Sequence, residues 1–197
     1  MPRLLVLCCW AAACGWAAAA EDPGDKADGE IRIAHLAPDP RGGRAYLLDY
    51  VVAVPIDVHW RFKTDFDNDF LVQNRFIRSH RLVMRDADTV ITETQYTDAP
   101  DALFRWRTVV NAQTRRLTFE LLNPEQIGQR FHYGHITLAP SAHGTRVTQV
   151  AYFDFWGAAF WAGYPWRGGM REFLTYTARW EQETILKLRD RYEGSAP

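Results

Sequence analysis

At 197 residues the chain has room for one domain of ordinary size. Its 23 basic and 24 acidic side chains give a formal net charge of −1, which leaves no electrostatic footprint for nucleic acid and no excess positive charge for anionic lipid headgroups. Cys8, Cys9 and Cys14 are its 3 cysteines, so everything after residue 14 lacks a disulfide framework, a catalytic thiol and any cysteine metal site.

The N-terminus reads Met1-Pro-Arg3, then an apolar run from Leu4 to Trp16, then four alanines before Glu21-Asp22. One positive charge, a short apolar core and an Ala-x-Ala site predict a secretory signal peptide over residues 1–20, cleaved after Ala20, and hence a periplasmic or secreted protein. The apolar run is short for a membrane span. Small residues before Cys14 keep lipoprotein anchoring as a second reading, but the Leu usual three positions before such a cysteine is missing. Removing this segment takes away only Arg3, leaving 22 basic and 24 acidic side chains.

Residues 21–43, with Pro23, Pro38, Pro40 and several glycines, read as a flexible leader. Ala45 to Val54 is β-prone and ends at Pro55, a residue tolerated in the first turn of a helix. Ile56 to Phe62 then predicts a short helix. Thr64 or Asp65 is placed to cap a second one running to about Gln73. Six strand-length runs follow: 75–85, 89–97, 103–110, 116–122, 130–138 and 145–155. With the first strand they predict a seven-stranded sheet, antiparallel because the connections are short. From Met170 to Tyr192 apolar residues recur every three or four positions with charges between them, an amphipathic helix of about six turns. A long helix on an antiparallel sheet is an α+β layer arrangement.

Two local motifs sit in this order. Pro55-Ile-Asp-Val-His-Trp60 follows the first strand, and Leu138-Ala-Pro-x4-Gly144-Thr-Arg-Val-Thr148 turns into the last. Over residues 44–193 the chain resembles the START-like or SRPBCC superfamily, which includes polyketide cyclase-like, coenzyme-Q-binding and birch-pollen allergen proteins. The resemblance implies a helix-grip fold with a cavity between sheet and long helix, holding a lipid, isoprenoid or polyketide-like molecule. It fixes no activity, because members include carriers, cyclases and hydrolases.

The aromatic residues are the main argument for such a ligand. Phe104, Trp106, Phe119, Tyr133 and Phe153 fall on strands, Tyr176 and Trp180 on the long helix, and Trp156 and Trp161 in the segment between. Each alone also fits ordinary core packing. The segment 156–169 packs Trp, Phe and Tyr among glycines, and reads as a lid, a surface for transient membrane contact, or a packed corner. Alternation puts Phe104, Trp106 and Thr108 on one strand face and Arg105 and Arg107 on the other. It leaves the inward face of the last strand undecided.

Chemistry is weakly signalled. Asp154, between Phe153 and Phe155, is the acid with most scope for a raised pKa if it points inward, and with His135 it forms the candidate acid–base pair of a cyclase or dehydratase. His132 and His135 lie three apart on a strand, on opposite faces, and so cannot chelate one metal. Asp65-x-Asp67-x-Asp69 opens like an EF-hand, but Phe70 and Phe76 stand where Gly and Glu are required. None of Ser79, Ser141 and Ser195 lies in a Gly-x-Ser-x-Gly setting, and nothing calls for a cofactor. The expected function is a binding or carrier protein for a hydrophobic small molecule; the alternative is an enzyme using an acid–base pair in the same cavity.

Overall fold

A computed structural model describes residues 30–155 and 169–194. Its eight strands form one antiparallel sheet: β1 Ile31–Leu36, β2 Arg44–Val52, β3 Ile77–Asp86, β4 Thr89–Tyr96, β5 Ala99–Asn111, β6 Arg116–Leu121, β7 Gln129–Ser141 and β8 Gly144–Phe155. The spatial order is β1-β2-β8-β7-β6-β5-β4-β3, so β3 through β8 form a meander and β2 pairs with the last strand. The predicted seven strands become eight. The added one is β1, inside the segment read as a leader, and its Ile31 and Ile33 pack against the main core.

Helix α1 (Ile56–Thr64) begins immediately after Pro55, as the sequence predicts. The second short helix is reduced to a 3-10 turn at Leu71–Gln73, whose first N–H is accepted by Asn68 Oδ1 at 3.0 Å. Asp65 opens nothing. It closes α1 and accepts a hydrogen bond from the Tyr192 hydroxyl at 2.6 Å.

The long helix is α2 (Gly169–Lys187), interrupted at Leu188 and resumed as the single turn α3 (Arg189–Glu193). Leu174, Ala178 and Ile185 form its buried stripe, at a spacing that keeps them on one side. Ala178 and Ile185 are fully enclosed, and full burial of an Ile side chain stabilises by about 1.5–3 kcal/mol. Gln182 ties the helix to the sheet by donating to the Val51 carbonyl at 2.7 Å.

Gly134 is among the glycines that crowding requires. Gly134 in β7 faces Ala151 of β8, and a Cβ there would lie 2.0 Å from the Val150 carbonyl oxygen and 2.7 Å from the Phe119 ring. Gly134→Ala is expected to cost about 2–3 kcal/mol in urea unfolding, as overpacked cores do. A loss within about 0.5 kcal/mol would show that the sheet yields freely at this point.

Candidate ligand cavity

A cavity of about 330 Å³ lies between α2 and the concave face of the sheet. Its floor is Tyr46, Leu48 and Tyr50 of β2, Trp106 of β5, Leu117 and Phe119 of β6, and Phe153 of β8. Met170, Phe173, Leu174 and Trp180 of α2 roof it. The volume is at the lower end of the about 300–1,000 Å³ usual for small-molecule sites, and the apolar lining is typical of them.

Two features stand out among the polar groups of this wall. At one end Glu181 of α2, itself 3 % exposed, receives His59 Nε2 at 2.7 Å on one oxygen and Lys63 Nζ at 2.5 Å on the other. His59 and Lys63 are one turn apart on α1, so a single helix supplies both partners. Burial alone would raise the Glu181 carboxyl, but Lys63 and His59 outweigh it and bring its pKa down to about 2. Burial pulls His59 down more strongly than Glu181 pushes it up, so the imidazole is neutral. Its Nδ1 has no partner among the described residues, which places the proton on Nε2, donated to Glu181. Tyr50 lines the same end, and burial, with the Glu181 carboxylate, pushes its hydroxyl well above the usual range.

The second feature is His132 on β7. Its ring lies 4.8 Å from that of Trp106 and 5.2 Å from that of Phe153, with Phe119 at 6.2 Å. Burial among these rings lowers its pKa to about 3. His80 of β3 also lines the cavity, but both its nitrogens are engaged, with Thr94 Oγ1 at 3.0 Å and the Phe66 carbonyl at 3.1 Å.

The residues singled out from sequence separate cleanly. Trp106, Phe119, Phe153 and Trp180 line the cavity. Phe104 shares their side of the sheet but is enclosed in a neighbouring cluster with Leu121 and Ile127, edge-on to Tyr96 at 4.7 Å. Tyr133 lies on the opposite face, stacked on Tyr152 at 5.3 Å with its hydroxyl donating to Asp39. Tyr176 is outside as well, edge-on to Phe76 at 5.2 Å and beneath the Arg75 guanidinium. Trp156, Trp161 and the aromatic segment 156–168 lie outside the described residues.

The proposed acid–base pair also moves out. On β8, Gln149, Ala151 and Phe153 face the cavity, so Asp154 points away and lies 3.4 Å from Arg130. His135 sits on the face opposite His132, its pKa lowered by partial burial and by nearby Arg116. His132, Glu181 and Lys63 are among the titratable groups that do reach the cavity, with His59 bonded to Glu181, and the sequence pattern did not single out the Glu181–His59–Lys63 cluster. The signal was present: Leu174, Ala178, Glu181 and Ile185 are spaced four, three and four apart, which puts Glu181 on the apolar stripe.

No protein-family model and no curated protein sequence matches the chain. Solved structures do. A STAR-related lipid transfer protein from Xanthomonas axonopodis superposes with a TM-score of 0.60 at 15 % identity, over 82 % of this chain and 96 % of that one. A Thermus thermophilus protein gives 0.54 at 15 % identity, over 77 % and 99 %. Norcoclaurine synthase of Thalictrum flavum, a point mutant holding a transition-state analogue, gives 0.53 at 10 % identity, over 80 % and 97 %. Strand order, the long C-terminal helix and these superpositions agree: the chain has the helix-grip fold, here with eight strands among the described residues.

Proposed function

We propose that the chain is an exported binding or carrier protein for a hydrophobic small molecule held between the sheet and the C-terminal helix. The observation that carries this reading is the cavity of about 330 Å³ with its aromatic floor and α2 roof. A lipid transfer protein of the same fold supports it by analogy. Export rests on the signal-like residues 1–20.

Norcoclaurine synthase shows that the same fold can also serve an enzyme. Two observations favour binding here. Asp154 and His135 point away from the cavity, and the carboxylate that does line it, Glu181, is engaged on both oxygens by Lys63 and His59. A carboxylate with its pKa near 2 is a poor proton acceptor at neutral pH.

Native mass spectrometry of protein taken from its own host is expected to show a co-purifying apolar species, and the same spectra read whether residues 1–20 have been removed. Thr177 supplies the control. It lines the cavity from α2, and its hydroxyl is buried without a partner among the described residues, so Thr177→Phe removes an unsatisfied group and fills space. That variant is expected to keep or raise its melting temperature and to lose the bound species. Retention of the same ligand at the same occupancy would place the binding site elsewhere.

A further inference from the structure

The identity of the ligand's polar group follows from His132, on the reading that this cavity is the binding site. His132 Nδ1 is enclosed and has no hydrogen-bond partner among the described residues. If Nδ1 carried the proton, a buried N–H would be left without an acceptor, the rarer and costlier of the two orphaned states. The proton therefore sits on Nε2. That nitrogen makes no hydrogen bond to the described residues, and it belongs to a ring that lines the cavity. It presents one N–H donor to an otherwise aromatic surface formed by Trp106, Phe119 and Phe153.

The charges in the wall decide what that donor can recognise. His132 is surrounded by aromatic rings and is neutral at physiological pH, so it offers an anion no counter-charge. Lys63 is the ammonium that lines the cavity, and Glu181 already neutralises it; Asp65, a second carboxylate in the lining, is engaged by Arg191 and the Tyr192 hydroxyl. An anionic group brought inside would meet the Glu181 carboxylate, and a cationic group would meet Lys63. We propose that the cavity takes an uncharged, carbonyl-bearing aromatic or polycyclic molecule whose carbonyl oxygen accepts the Nε2–H of His132. Stacking on the surrounding rings would orient the ring system of such a molecule, and the donor set among those rings would fix its register.

Three probes on one ring frame test this: 2-acetylnaphthalene, 2-isopropylnaphthalene and 2-naphthoate, titrated calorimetrically at neutral pH into wild type and His132→Phe. The phenyl ring keeps the shape of the site and removes both nitrogens. The affinity ratio of ketone to hydrocarbon is expected to fall about fivefold in His132→Phe, the size of one net hydrogen bond. The naphthoate is expected to bind wild type at least about tenfold more weakly than the ketone. An unchanged ratio in the variant, or naphthoate bound as tightly as the ketone, overturns the assignment while leaving the cavity a binding site. Binding of none of the three by wild type removes the cavity reading and the assignment with it. Histidine-labelled nitrogen NMR of the wild-type protein reads the tautomer independently of the variant's folding. The Nε2–H form, perturbed by the ketone and not by the hydrocarbon, is expected; the Nδ1–H form overturns the proposal.

Discussion

Lys63→Met is expected to destabilise the protein by about 3 kcal/mol at neutral pH, although it changes one side chain at the end of α1. Glu181 would remain buried with its charge supported by neutral donors alone, His59 and the Tyr50 hydroxyl. Removing one partner of a buried pair typically costs about 3–5 kcal/mol, because the other charge is left uncompensated. In melting temperature this corresponds to a drop of roughly 6–12 °C for a domain of this size. Glu181→Leu should cost less. Lys63 retains 15 % side-chain exposure and can carry its ammonium outward along its stem, although His59 then loses its acceptor. The double variant Lys63→Met with Glu181→Leu should recover to within about 1 kcal/mol of wild type. The deficit of Lys63→Met should also shrink in acid, since protonation removes the stranded charge. Urea unfolding of the four proteins measures the cycle. A Lys63→Met loss of under about 0.5 kcal/mol, as at an ordinary surface site, would mean that Glu181 does not depend on the ammonium.

Where the fold could be read in the sequence, repetition made it readable. The meander from β3 to β8 consists of β-prone runs divided by turn residues, and α2 repeats its apolar positions over most of its length. The strand Ile31–Leu36 went unread because it is short, mixes Ile with Arg and His, and follows a stretch rich in Pro, Gly and acids. Being at the sheet edge, it has a neighbour on one side only and needs less apolar surface. The second short helix failed for a local reason. Asp65, Asp67, Asn68 and Asp69 offer hydrogen bonds that compete with helical ones, and Asn68 in fact uses its side chain to bond both the Asp65 carbonyl and the Leu71 N–H.

The site was legible in part. Alternation separates Trp106 from Arg105 and Arg107 on β5, and the structure puts the Trp106 side on the cavity. On β7 both faces carry aromatic and histidine side chains, and a bulge between Gln129 and Phe131 shifts the register before His132. Composition alone cannot choose between them, and it is His132 rather than Tyr133 that reaches the cavity. Tyr176 shows the same limit on a helix. It lies next to Thr177 on the roof of the cavity, yet one step along α2 rotates its ring onto Phe76 and Arg75.

Acid should weaken this protein well above the range in which carboxylates titrate, and His132 is the residue expected to contribute most. Its pKa falls from an ordinary value of 6.5 in the unfolded chain to about 3 in the fold, through burial alone. A base with a depressed folded pKa binds fewer protons when folded, so unfolding takes up a proton throughout that interval. Its stabilising contribution is complete above about pH 6.5, declines by about 1 kcal/mol per pH unit below that, and levels off near pH 3. His59, His80 and His135 are also lowered, each chiefly by burial, and push in the same direction. Carboxylates do not confuse the window from about pH 6.5 to 4.5. Glu181 is held near 2 by Lys63 and His59, and Glu93 is held low by Arg105 and Arg81, so their contributions are lost only in stronger acid. Urea unfolding at pH 7.0, 5.5 and 4.5 should therefore show a steep fall in wild type. His132→Phe should be shallower by about 1 kcal/mol per unit, and near pH 4.5 it should be the more stable of the two. Parallel pH profiles for the two proteins would mean that His132 protonates as readily in the fold as in the unfolded chain. The ring would then be solvated well enough to hold a charge, and the apolar surroundings that set its pKa would not exist.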